Sequence, residues 1–95
     1  MSHSAVTGRQ IKAARVLLGW TRADLADRAG VTAETVKVVE KDEVTLEALA
    51  STRSRLCRTL EAGGVTFLNG GSTGVQVQPK DEGLRPEDLN ASNDG

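Results

Sequence analysis

The segment that most constrains this chain is residues 20–41, Trp-Thr-Arg-Ala-Asp-Leu-Ala-Asp-Arg-Ala-Gly-Val-Thr-Ala-Glu-Thr-Val-Lys-Val-Val-Glu-Lys. Two short stretches with helical apolar spacing are separated only by Gly30, Val31 and Thr32, which leaves room for a tight turn and nothing larger. Gly30 stops the first stretch, because a residue without Cβ enters the left-handed region at little cost. Thr32 is a good N-cap for the second stretch, and Thr21 caps the first, with Asp24 at its third helical position completing a box-like start. Leu25, Ala26 and Ala29 supply the buried side of the first helix, and Val36 and Val39 that of the second. Ala26 is small where the two helices must cross, and Val31 is placed to plug the angle between them.

The flanks extend a mainly helical chain. Residues 8–18 read as an amphipathic helix with Ile11, Ala14 and Leu18 on one face and Leu17 beside it, ended by Gly19. Arg9, Lys12 and Arg15 lie elsewhere on it. Thr45 can cap a fourth helix from Leu46 to about Ala62, with Leu46, Leu49, Ala50, Leu56, Cys57 and Leu60 at helical spacing and Gly63-Gly64 as its stop. The pattern then changes to two short strands, Val65–Leu68 and Val75–Gln78, around a loop of turn formers, Asn69–Gly74. A hairpin this short is marginal alone, so it is expected to pack on the fourth helix or pair with another chain. The expected organisation is a flexible N-terminus (1–6), a compact four-helix body (7–62), a β-hairpin (63–78) and a disordered acidic tail (79–95).

Composition bounds the rest. Ninety-five residues suffice for one domain. Cys57 is the single cysteine, which excludes an intramolecular disulfide, and no Cys/His cluster could hold a metal. No apolar run reaches the ~20 residues that span a bilayer, and Met1–Thr7 lacks a secretory pattern, so a cytoplasmic protein is expected. The net charge of −1 hides an asymmetry: residues 1–78 carry ten Lys/Arg against eight Asp/Glu, and residues 79–95 two against five. A mildly basic body is compatible with a phosphate-bearing partner, since the local field acts rather than the total.

Two short helices at a tight glycine turn, with the second projecting, are what a helix-turn-helix needs. Here the chain resembles the Xre-type, lambda-repressor-like (Cro/repressor) DNA-binding family. The matching residues are Arg15–Trp20, Leu25–Thr32 and Glu34–Lys41. The helix leading into Gly64–Leu68 and Gly74–Val77 resembles a subgroup of short bacterial regulators, so the likeness covers about residues 7–78. The resemblance implies a lambda-repressor-like fold whose third helix enters the major groove. It places Ala33, Glu34 and Lys37 on the groove-facing side, and Thr32 and Thr35 near phosphates or at the helix cap. Arg22 stands where relatives usually carry a Gln that touches phosphate and braces the recognition helix; its planar fork suits phosphate. Lys41 completes the DNA-facing set. Two departures lower the expected affinity: Ala33 replaces a long polar side chain, and Val38 a basic one. Lys37 is then the leading candidate for base readout, with Glu34 able to accept from cytosine N4.

The function expected is a sequence-specific transcriptional regulator, with double-stranded DNA as partner. A single unit reads few base pairs, so a homodimer on an inverted repeat is expected, built on Leu56, Leu60, Val65, Phe67 and Leu68. The alternative is a helix-turn-helix shell turned to a protein partner, of antitoxin or antiactivator type, which Ala33, Glu34, an exposed Val38 and the acidic tail would suit. No nucleophile–base pair, metal cluster or nucleotide loop is present in the sequence, so neither an enzyme nor a cofactor is expected. Trp20 reads as a core or rim residue, Glu40 as a clamp on Arg15 and Cys57 as inert core. Arg53, Arg55 and Arg58 read as a solvated face, or as a patch for DNA flanks or a partner; His3 is assigned no role.

Overall fold

A computed structural model describes residues 5–41 and 49–78. Among these the order is α1 (Gly8–Leu17), α2 (Arg22–Ala29), α3 (Ala33–Glu40), α4 (Ala50–Ala62), β1 (Val65–Leu68) and β2 (Gly74–Val77).

Helix α1 starts at a capping box. The Thr7 hydroxyl accepts from the Gln10 N–H at 3.1 Å, and the Gln10 Oε1 accepts from the Thr7 N–H at 2.9 Å. Ile11 and Ala14 are fully buried, and Leu18 packs at the core margin. Leu17, beside this face at the last residue of α1, is 59 % exposed, although Gln10 two turns earlier on the same side is buried. The packed chain also begins earlier than residue 7. Val6 is buried, and the Ala5 carbonyl accepts from Asn69 Nδ2 at 3.0 Å.

The cap expected for α4 at Thr45, and Leu46 after it, fall outside the described residues. Within them α4 starts at Ala50, with Leu49 at the N-cap and no side-chain cap. Ala50 is exposed and does not join the inner face, whereas Leu56, Cys57 and Leu60 are fully buried. The expected disordered tail likewise lies outside the described residues.

The hairpin is antiparallel, pairing Val65 with Val77 and Phe67 with Val75. The second strand begins one residue earlier than expected, at Gly74, and Gln78 still donates to the Gly64 carbonyl at 2.8 Å. Gly64 has φ +108, and a Cβ there would run into the Gln78 carbonyl, so the turn into β1 depends on glycine. The hairpin is held on two helices, with β1 against α4 and β2 against α1. Val65 and Phe67 enter the common core. Buried Gln10 ties the hairpin's loop end to α1: its Nε2 donates to the carbonyls of Gly74 (2.8 Å) and Leu68 (3.2 Å). The marginal hairpin is thus stabilised within its own chain. This changes the surface expected for a dimer, because Leu56, Leu60, Val65 and Phe67 are all consumed by the monomer's core and only Leu68 is exposed, at 41 %. Val16 and Leu17 are the other large exposed apolar side chains among the described residues.

Cys57 is inert core, as its spacing suggested. Burial pushes its thiol up from an ordinary value of 9.0 to about 12. The folded state therefore favours the neutral thiol. The stability it contributes is complete below pH 9 and is lost as the pH rises from 9 toward 12. At pH 8 an alkylating reagent is expected to label Cys57 only through unfolding, and at once in denaturant. Rapid labelling of the folded protein would contradict this packing. No helix among the described residues is long and apolar enough to cross a membrane.

Candidate nucleic-acid interface

The angle between α2 and α3 is set by the turn that joins them. Gly30 takes φ +75, and Val31 donates back to the Ala26 carbonyl at 3.0 Å, closing the end of α2. Val31 is half-buried against the core, filling the angle. Thr32 then caps α3 by accepting from the Thr35 N–H at 3.1 Å. The Thr32 and Thr35 hydroxyls lie 2.9 Å apart, so Thr35 is drawn toward the cap.

Helix α3 divides into two faces. Val36 and Val39 are buried against the body, and Ala33, Glu34 and Lys37 are exposed on the other side. Lys41, the C-cap residue, is also exposed. Val38 is half-buried, so it does not supply the exposed apolar patch that a protein partner on α3 would use.

One carboxylate fixes this helix to its neighbours. The Glu40 side chain, 2 % exposed, accepts from Arg15 Nε at 2.7 Å and from a second Arg15 nitrogen at 3.3 Å. This two-pronged contact suits the planar guanidinium. A further Arg15 nitrogen donates to the Trp20 carbonyl at 3.0 Å, and Arg22 Nε donates to Glu40 at 3.2 Å. Glu40 therefore joins α1, the start of α2 and the end of α3. The Arg15–Glu40 clamp was legible in the sequence. The hold of Arg22 on Glu40 was not. It ties the start of α2 to the end of α3, while 43 % of the Arg22 side chain stays exposed.

At the start of α2, Asp24 accepts from the Thr21 N–H at 2.8 Å, and this bond holds its carboxyl below the ordinary value. Trp20 is the rim residue expected from the sequence; Arg28 lies over its ring, 4.2 Å from the centroid. Among the described residues no group of three or more His, Cys, Asp or Glu is placed to hold a metal ion. The seven candidate residues divide by role. Thr32 and Thr35 build the cap, Arg22 braces and remains half open, and Ala33, Glu34, Lys37 and Lys41 form the accessible edge of α3. What this arrangement offers is a rigid, exposed helix edge with two lysines and one glutamate, framed by a guanidinium.

Residues 11–50 match the family model described as helix-turn-helix, a stretch a little short of half the chain. The matched segment spans α1 to α3 and the turn between α2 and α3. No curated protein matches the chain.

Proposed function

We propose that the chain is a sequence-specific transcriptional regulator that reads an inverted-repeat operator as a homodimer through α3; the match of residues 11–50 to the helix-turn-helix model supports a DNA-binding regulator in general. The observation that carries this reading is the division of α3. Ala33 and Glu34 are exposed in its first turn and Lys37 one turn further along, while Val36, Val39 and the Glu40 clamp hold its other side. A recognition helix presents its N-terminal residues to base edges, and rigidity of the supporting side lets a few contacts discriminate. Lys37 reads a guanine edge or a neighbouring acceptor in the major groove. Ala33 meets a thymine methyl, and Glu34 accepts from cytosine N4. Lys41 and the open part of Arg22 contact phosphate, and Thr32 and Thr35 lie beside it. Two copies give the contact length that one lacks, with apolar surface for pairing supplied by Leu68, Val16 and Leu17.

The two lysines separate readout from attraction. Lys37→Ala is expected to cost about 1–3 kcal/mol on the preferred operator and to relax base preference. Lys41→Ala is expected to weaken all DNA nearly equally and to lower the slope of log affinity against log salt by about 0.9. Binding isotherms at several salt concentrations check both. Capture of a protein without salt dependence, together with no change in either lysine variant, would contradict the DNA reading and favour the protein-partner alternative.

A further inference from the structure

An open groove of about 550 Å³ runs between α2 and α4, lined by Trp20, Arg28, Arg55, Arg58 and Gly63 among others. No residue of α3 lines it, so it is separate from the edge proposed for DNA. Three guanidinium groups face this space. Arg28 lies over the Trp20 ring, with Asp24 one turn away on α2. Arg55 donates to the Ala29 carbonyl at 3.5 Å, and Arg58 to Ser54 Oγ at 3.1 Å. A guanidinium has five donors in a fixed fork and pairs best with carboxylate or phosphate. An aromatic floor beneath such a cluster lowers the cost of bringing a peptide's apolar parts onto it.

The last described residue of the hairpin, Gln78, lies beside the edge of this groove. Gln78 leaves the hairpin hydrogen-bonded to Gly64, the residue after the groove-lining Gly63. Residues 79–95 follow, with Asp81, Glu82, Glu87, Asp88 and Asp94 against Lys80 and Arg85. At about 3.3–3.6 Å per residue, Asp81 and Glu82 reach roughly 10–14 Å from Gln78, and Glu87 and Asp88 reach farther. We propose that this groove is a carboxylate-binding site whose occupant is the chain's own acidic C-terminal segment, residues 79–95. Tethering makes the contact intramolecular, so individually weak surface ion pairs act at high effective concentration. The occupant lies over Trp20 and bridges α2 to α4 behind the turn that aims α3.

Trp20 is the single tryptophan and reports the site directly. The test uses the full chain and a full-length variant with Asp81→Asn, Glu82→Gln, Glu87→Gln and Asp88→Asn, substitutions outside the core, with helical circular dichroism confirming that both fold. Acrylamide quenching of Trp20 is followed from low salt to about 1 M, where the screening length falls to about 3 Å. In the unsubstituted chain quenching is expected to rise with salt as the segment is released. In the neutralised variant it is expected to be high already and the salt response lost. The pair Arg55→Gln and Arg58→Gln is expected to give the same loss. Equal quenching and equal salt response in all three proteins would overturn the proposal. A salt response that disappears on dilution would also overturn it, in favour of a segment lent by a second copy. DNA is absent throughout, so failure here leaves the operator reading standing, and the converse holds.

Discussion

Glu40→Ala is expected to destabilise the protein by about 3–5 kcal/mol, which is the cost of breaking a buried ion pair by removing one partner. The loss is large because of what remains. Arg15 is itself buried, with its side chain 10 % exposed, and would keep its charge without the carboxylate that satisfies it. Domains of this kind have about 5–15 kcal/mol of stability in total, so the variant is expected to be partly unfolded at 37 °C. The other arm of the clamp behaves differently. Arg22→Ala is expected to cost no more than about 1 kcal/mol, because that guanidinium is half in water and Glu40 keeps Arg15. Urea unfolding followed by circular dichroism measures both. Equal costs for the two substitutions would show that burial of Arg15, and with it the clamp, is not what holds α3 in place.

The second large effect has a sign opposite to simple helix propensity. Alanine in place of a helical glycine ordinarily stabilises by up to about 1 kcal/mol. At Gly8 the reverse is expected, a loss of about 3 kcal/mol, at the upper end of what overpacking costs. Gly8 is buried at the first turn of α1, and a Cβ there would run into the Val39 carbonyl, with the Glu40 backbone 2.9 Å away. Backbone cannot rotate aside as a flexible side chain would. Either α1 moves off α3 or the end of α3 shifts, and a shift there also disturbs the Glu40 clamp. The urea midpoint of Gly8→Ala checks this, and an unchanged or raised midpoint would contradict the close approach of α1 to α3.

These two positions mark where the sequence was readable and where it was not. Periodicity and punctuation located α2 and α3 closely, since Thr21, Asp24, Gly30 and Thr32 act through local backbone chemistry that needs no tertiary context. The core residues of these helices followed from the same spacing. The start of α1 carried a signal as well, Thr7 followed by Gln10 in a capping box, but Gln10 also reaches Gly74, 64 residues away, and spacing does not encode such a contact. Gly8 looks like an ordinary helix start, and its role emerges only when α3 arrives beside it. The apolar residues expected from sequence to serve in pairing illustrate the same limit, because four of them are buried in the core of the single chain. Val65 and Phe67 form the apolar face of a short strand, and the pattern alone does not tell whether that face meets its own helices or a second copy. Arg22 likewise reads as a phosphate ligand until Glu40 is seen within 3.2 Å of it. Of the candidate interface, the exposed side of α3 was legible because Val36 and Val39 define the opposite side.

Whether the exposed edge of α3 reads DNA sequence is tested most directly by selection of bound fragments from sheared genomic DNA of the protein's own source. Full-length protein and Lys37→Ala are each used at two salt concentrations. The account predicts one enriched inverted-repeat motif, weaker at the higher salt and blurred in Lys37→Ala. A folded protein that enriches no motif at either salt, or a motif left unchanged by Lys37→Ala, would contradict it.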